Sequence, residues 1–290
     1  MLSDFIKKHC LPEEFKQTAE EYYQPLAKEI FEQFSRTGQV FCVGINGCQG
    51  SGKSTLTDFV ASYLSKQYQL NVVAMSLDDF YFSSKKRNHL ARCIHPLLAT
   101  RGVPGTHDVD MLEGILAQLK KRKTGFSIPK FNKATDEPFS KSQWNKVVKP
   151  IDIILVEGWF WGVKPQTASA LKEPLNTLER QHDKNSVWRS YVNQQLEEKH
   201  LPLYKYMDFW VALHAPSFDC VYKWRLEQEN KLAIKNIGLA NSKIQSAEEI
   251  LNFIQYFQRL TIQSGNTICN TANITFYLDA ERHISEKIQR

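Results

Sequence analysis

The 290-residue sequence lacks the features that mark membrane, secreted and zinc-binding proteins. No apolar run approaches the roughly 20 residues that cross a bilayer, and residues 1–14 carry acids and no apolar stretch of signal-peptide length. The six cysteines form no C-x-x-C pair and show no zinc-binding spacing. The chain also has no internal repeat and no low-complexity segment. We therefore expect a cytoplasmic protein with reduced thiols and no membrane partner.

Charge of either sign is not concentrated anywhere. The chain has 37 Lys and Arg against 31 Asp and Glu, a net charge of +6, and its basic residues are scattered. Basic stripes with interleaved aromatic residues, which a nucleic-acid-binding ATPase needs, are missing. The pattern favours a solvated surface over nucleic-acid binding, although it also suits anionic ligands. A composition that is 42% hydrophobic and 23% charged is typical of a globular domain.

One octapeptide carries a specific chemistry. Residues 47–54 match G-x-x-x-x-G-K-[ST], the phosphate-binding P-loop. An apolar, β-rich run precedes it at 40–45, and apolar residues recur at helical spacing from Leu56 to Leu64. The glycine-rich backbone can turn its N–H groups inward, and the helix N-terminus adds partial positive charge. The residues expected to bind the nucleotide are Gly47, Cys48, Gln49, Gly50, Ser51, Gly52, Lys53, Ser54 and Thr55.

Acidic residues follow two further predicted strands. The strand at 71–77 leads into Asp78 and Asp79, and the strand at 151–156 ends at Glu157. Open parallel sheets bind ligands beyond the carboxyl ends of their strands, so these acids point toward the P-loop. Asp78 is a candidate to accept a hydroxyl proton or to hold Mg²⁺, and Glu157 occupies the Walker B position. Asp79 fits a helix cap or turn equally well. The expected metal ligands are Ser54, Asp78 and Glu157.

Between these two strands the chain is basic and irregular. Arg101 and His107 lie in a segment whose glycines and proline fix the backbone, and Lys130 and Lys133 lie in a second looped segment. Such loops present side chains to ligands, and Arg and Lys suit carboxylates. We expect these four residues to hold a small anionic acceptor. The run at 85–87 we interpret as a solvated face.

The remaining sequence predicts one domain with three additions. These are an N-terminal helical extension over about 1–37, a substrate-binding insertion over about 83–133 and a polar surface insertion over about 164–205. Further strands are predicted at 207–213 and 274–278, and a helix at 218–232 that suits a lid over phosphates.

Together these motifs resemble a known family. The P-loop and the segments at 77–81, 101–108, 156–159 and 222–226 look like those of D-glycerate 3-kinase, in the phosphoribulokinase, uridine kinase and pantothenate kinase group of P-loop kinases. The chain also resembles uncharacterised fungal kinases of that branch. The likeness runs from about Val40 to His283 and implies an α/β P-loop NTPase fold. In it, a five-stranded parallel sheet of order 2-3-1-4-5 is flanked by helices.

The resemblance also implies transfer of the ATP γ-phosphate to a small hydroxylated metabolite. Asp78 matches the family's catalytic base, Glu157 its acid near Mg²⁺ and Arg225 a lid arginine. With Lys53 of the P-loop these make the expected catalytic set, and Tyr81, from the motif of Asp78, joins the expected substrate contacts. The chain departs from the family at 129–132, where Pro-Lys-Phe-Asn replaces P-x-Y-D and loses a hydroxyl and a carboxylate.

Other functions remain as alternatives. A GTP switch should carry N-K-x-D and D-x-x-G, but the segment at 132–136 has the wrong spacing. A regulatory ATP-binding module without transferase activity, or a kinase for a neutral sugar or nucleoside, stays open. The sequence leaves the acceptor's identity and the oligomeric state undecided.

Overall fold

The computed structural model of the protein describes residues 2–235 and 246–290. The strands are β1 (Phe41–Gly47), β2 (Val72–Ser76), β3 (Phe126–Ile128), β4 (Phe131–Asn132), β5 (Glu137–Pro138), β6 (Asn145–Val147), β7 (Ile153–Gly158), β8 (Phe209–His214), β9 (Ile274–Leu278) and β10 (Ile284–Gln289). The α-helices are α1 (Leu2–His9), α2 (Phe15–Thr18), α3 (Gln24–Thr37), α4 (Lys53–Gln67), α5 (Ser84–Cys93), α6 (Val109–Lys120), α7 (Thr177–His182), α8 (Val187–Gln195), α9 (Phe218–Lys235), α10 (Ala247–Asn266) and α11 (Ile268–Thr271).

A six-stranded sheet lies at the centre, in the order β10-β9-β8-β1-β7-β2. All neighbours are parallel except β10, which pairs antiparallel with β9. Numbered among themselves, the five parallel strands have the order 2-3-1-4-5. Every residue of β1 and β7 is buried, as strands covered by helices on both faces require. The fold is therefore α/β with a mostly parallel sheet.

The structure adds a sixth, antiparallel strand, β10, to the five parallel strands that the sequence predicts. Only Ile284 and Ile288 of β10 are half-buried, and its other four residues are exposed. An antiparallel edge strand of this kind has no apolar run from which it can be recognised.

The N-terminal extension packs against the P-loop helix. Phe5 of α1 contacts Phe59 of α4 edge to face, with ring centroids 5.3 Å apart, and Leu26 and Ile30 of α3 are fully buried. Gly38, at φ +63°, ends α3 in the left-handed conformation that glycine adopts without strain.

The segment at 164–205, predicted as a polar surface insertion, exposes most of its polar residues but buries several charged ones. Glu179 and Asp183 are 0% and 2% exposed. Each pairs with an arginine, Arg259 Nη2 at 2.6 Å from Glu179 Oε2 and Arg189 Nη1 at 2.8 Å from Asp183 Oδ2. The charged residues that are buried here neutralise one another or a charge on α10, so polarity alone did not indicate exposure at these positions.

No helix in the described part of the chain has the length and apolar character needed to cross a bilayer.

Candidate active site

The P-loop connects β1 to α4. Gly50 and Gly52 have φ angles of +78° and +88°, which favour glycine. A Cβ on Gly50 would lie 2.5 Å from the Cβ of Trp224, so α9 packs directly on the loop. Because α4 begins at Lys53, the loop leads into a helix N-terminus, the arrangement that binds phosphate.

Lys53 and Ser54 both contact Glu157, the acid near the end of β7. The Ser54 hydroxyl donates to Oε1 of Glu157 at 3.1 Å, and Lys53 Nζ lies 3.5 Å from Oε2. Burial lowers the pKa of Lys53, but the carboxylates of Glu157 and Asp78 outweigh this effect and raise it above its usual value. Lys53 is therefore a permanent cation beside the phosphate loop.

Asp78 lies in a 3₁₀ turn, Leu77–Phe80, directly after β2. The Tyr81 hydroxyl donates to its Oδ1 at 2.8 Å, and Lys133 Nζ lies 2.6 Å from its Oδ2. Burial raises the pKa of Asp78, but the charges of Lys133 and Lys53 and these hydrogen bonds lower it well below its usual value. The carboxylate is therefore ionised. Asp79 accepts a hydrogen bond from the backbone N–H of Phe131 at 3.2 Å.

Arg101 is held by a carboxylate that the sequence analysis missed. Its Nη1 pairs with Oδ1 of Asp136, and Nη2 of Arg87 pairs with Oδ2 of the same residue. Arg87 is only 1% exposed and also donates to the carbonyl of Phe82 at 2.9 Å, so the prediction of a solvated face was wrong for this residue. Asp136 belongs to no sequence motif that indicates a function. Its position between two basic segments was the only signal.

His107 lies behind Tyr81 and not at the surface. An antiparallel backbone bridge joins the two residues, and their ring centroids lie 4.5 Å apart with the ring planes tilted by 35°. His107 is 2% exposed, and among the described residues neither of its ring nitrogens has a hydrogen-bond partner. Burial lowers the pKa of His107 to about 3, so it is neutral and is not the cation that the sequence predicts. His200, which the sequence analysis also missed, is fully buried against it with ring centroids 5.7 Å apart.

Two of the expected site residues remain, Arg225 and Lys130. Arg225 on α9 forms an ion pair with Glu229, with Nη2 and Oε2 2.7 Å apart. Lys130 is half-buried, directly before β4. The structure thus brings Lys53, Ser54 and Glu157 together at one point, and Asp78, Tyr81 and Lys133 at another.

Asn46 connects the end of β1 to the segment after β7 and to α10. Asn46, the residue before Gly47 of the P-loop, is 1% exposed. Its side-chain amide donates to the carbonyl of Trp161 at 2.8 Å, and its oxygen accepts from the hydroxyl of Ser264 at 2.7 Å. A polar residue ending an apolar strand was the signal that could have identified it.

Comparison with known proteins gives consistent relatives. No family model matches the chain. It is 31% identical over 257 residues to the uncharacterised kinase mug58 of Schizosaccharomyces pombe, covering 86% of this chain and 90% of that protein. It is 32% identical over 225 residues to the chloroplastic D-glycerate 3-kinase of Arabidopsis thaliana, covering 74% of this chain but 45% of the plant enzyme. This chain therefore spans less than half the length of that relative.

A solved structure agrees with these relatives. The D-glycerate 3-kinase of Cryptococcus neoformans superposes with a TM-score of 0.77 at 26% identity, covering 92% of this chain and 99% of that one. The relatives are named kinases, and the P-loop here stands between strand and helix beside a buried acid. The chain belongs to the family of ATP-dependent P-loop kinases that includes the fission yeast kinase and D-glycerate 3-kinase.

Proposed function

We propose that this kinase phosphorylates a hydroxyl of a small hydroxy acid, with D-glycerate as the first candidate. The observation that carries the proposal is the 2.6 Å contact between the ammonium group of Lys133 and the carboxylate of Asp78. A carboxylate-binding cation next to a candidate base suits an acceptor whose acid and alcohol groups are a few atoms apart. Two relatives named D-glycerate 3-kinase support the choice of acid.

The reaction in this proposal is an in-line displacement. The acceptor hydroxyl oxygen attacks the γ-phosphorus as the bond to the bridging oxygen breaks, ADP leaves, and the hydroxyl proton passes to Asp78. Lys53 and the N–H groups of the P-loop stabilise the charge on the transferred group. Arg225 is proposed to reach the phosphates from α9, which already packs on the loop through Trp224.

We also propose that Mg²⁺ binds with ATP at Ser54 and Glu157. Ser54 Oγ and Glu157 Oε1 are 3.1 Å apart, and the buried Oε2 of Glu157 has Lys53 Nζ 3.5 Å away. Oxygen ligands are those that Mg²⁺ prefers. Asp78 fits this role less well because Tyr81 and Lys133 engage its oxygens. When bound, Mg²⁺ neutralises charge on the phosphates.

The proposed acceptor insertion extends a few residues beyond the expected 83–133. The hairpin of β4 and β5 carries Lys133 and also Asp136, which holds Arg101. We propose that residues 83–138 form the acceptor side of a single kinase domain.

An acceptor screen tests the function. The purified enzyme is incubated with MgATP and D-glycerate, L-glycerate, glycerol, neutral sugars or nucleosides, and both ADP and phosphorylated product are measured. We expect D-glycerate to exceed glycerol at least 100-fold in kcat/KM. The Lys53→Ala variant, prepared in the same way, measures contaminating kinase. Phosphorylation of neutral acceptors alone would overturn the acid proposal, and no product above the Lys53→Ala background would favour a regulatory ATP-binding module.

A further inference from the structure

The protein itself occupies both oxygens of the candidate base. Tyr81 donates to Oδ1 of Asp78 and Lys133 binds Oδ2. The two partners differ in exposure, since Tyr81 is 7% exposed whereas the Lys133 side chain is 61% exposed. Tyr81 is a fixed part of the site, and Lys133 reaches Asp78 from the solvent side.

The backbone that carries Lys133 is held independently of this contact. Asp136, three residues further on, is bound by Arg101 and Arg87. Nη2 of Arg101 also contacts the carbonyl of Lys133 at 3.5 Å. The side chain of Asn132 accepts hydrogen bonds from the backbone N–H groups of Ala134 and Thr135, at 3.0 and 3.4 Å. The Lys133 side chain can therefore change partner while the loop beneath it stays in place.

We infer that Lys133 selects acidic acceptors by exchanging partners. Without an acceptor, its ammonium group covers Oδ2 of Asp78. The acceptor's carboxylate takes over the ammonium group and leaves Oδ2 open to the acceptor's own hydroxyl. A neutral acceptor offers no anion to the ammonium group. Displacing that group from Asp78 without supplying another cation would leave the half-buried carboxylate without its closest cation.

This inference rests on the proposed function, in which Asp78 is the base, and adds a consequence to it. If Lys133 only attracted acidic acceptors, its loss would weaken their binding and leave the turnover of neutral acceptors unchanged. If it also covers the base, its loss should improve catalysis with neutral acceptors. The discrimination between acidic and neutral acceptors would then appear in kcat as well as in KM.

The test measures kcat and KM for D-glycerate and glycerol at saturating MgATP. Glycerol has the same carbon skeleton with an alcohol in place of the carboxylate. In Lys133→Met we expect kcat/KM for D-glycerate to fall about 100-fold, as loss of a charged hydrogen bond does, while kcat for glycerol rises at least threefold. Lys133→Arg should keep most of the preference. Lys141→Met, which removes an exposed lysine from the same region, should behave as the wild type.

The outcomes separate this inference from the proposed function. If the wild type prefers D-glycerate but kcat for glycerol in Lys133→Met stays unchanged or falls, the inference is overturned and the proposed function stands. If the wild type itself prefers glycerol, the proposed function fails and the inference fails with it. Should Lys133→Met not fold, Lys133→Gln is measured against the same criteria.

Discussion

The nucleotide end and the proposed acceptor end of this site are built in different ways. The nucleotide end is one continuous segment, residues 47–54, whose shape comes from backbone angles and from the start of α4, with Glu157 added from β7. The acceptor end consists of ion pairs between separate segments. Lys133 pairs with Asp78, and Asp136 pairs with both Arg101 and Arg87. A loop shaped by its own backbone should lose function when its glycines or its charged groups change. A network of ion pairs should transmit a change at one residue to the others.

The largest loss of activity should come from a change at Lys53, the cation of the nucleotide end. Lys53→Ala should abolish turnover and weaken MgATP binding, because this lysine is the cation nearest the β and γ phosphates in the P-loop motif. Calorimetry and a turnover assay measure both effects. Lys66→Ala, an exposed lysine in the last turn of the same helix, is the control. Unchanged affinity and turnover in Lys53→Ala would contradict our assignment of the P-loop.

The next effect concerns Asp78, where the two ends meet. Asp78→Asn should lower kcat by roughly 10² to 10⁴, about 3 to 5 kcal/mol of barrier, because general-base catalysis has this magnitude. MgATP affinity should change only several-fold. The control is Asp79→Asn, whose side chain binds the backbone of Phe131 and should change kcat much less. An Asp78→Asn enzyme within a factor of about three of wild type, with chemistry rate-limiting, would show that Asp78 is not the base.

Much of the nucleotide end could be predicted because its determinants are neighbours in the sequence. The P-loop is a local pattern, and an apolar strand that ends in an acid locates Glu157. The parallel strands are equally local, because each is a short apolar run. The exception is β10, an edge strand with mostly exposed residues.

The acceptor end could be predicted only as a set of residues and not as an arrangement. Lys133 binds an acid 55 positions away, and Arg101 binds one 35 positions away. Nothing in the local sequence says which cation meets which carboxylate. Burial was misjudged for the same reason, since Arg87 and Glu179 are polar residues that become buried only because distant partners neutralise them.

The ion-pair network can be tested through Arg101. Arg101→Ala should raise KM for the acceptor about 10- to 100-fold, the value of one to two charged hydrogen bonds, and KM for ATP less than twofold. Asp136→Ala should reproduce the effect, because it removes the same contact from the other side. Lys85→Ala, which removes an exposed nearby charge, should leave both constants unchanged. An equal rise in both KM values would mean that the two ends are not separate.

The smallest effect should distinguish the two ends by their response to acid. His107 is buried and neutral at the acceptor end, with its pKa lowered by burial to about 3, whereas an unfolded histidine has a pKa of about 6.5. Between these values the unfolded chain binds more protons, so stability is full above pH 6.5 and falls as the pH drops toward 3. At pH 5.5 the loss from His107 should be about 1.4 kcal/mol. Urea unfolding at pH 7.5 and pH 5.5 measures it, and His107→Phe should reduce the difference by that amount while His89→Gln, at an exposed position, should not. The same pH sensitivity in His107→Phe as in the wild type would show that His107 is not held neutral in the folded protein.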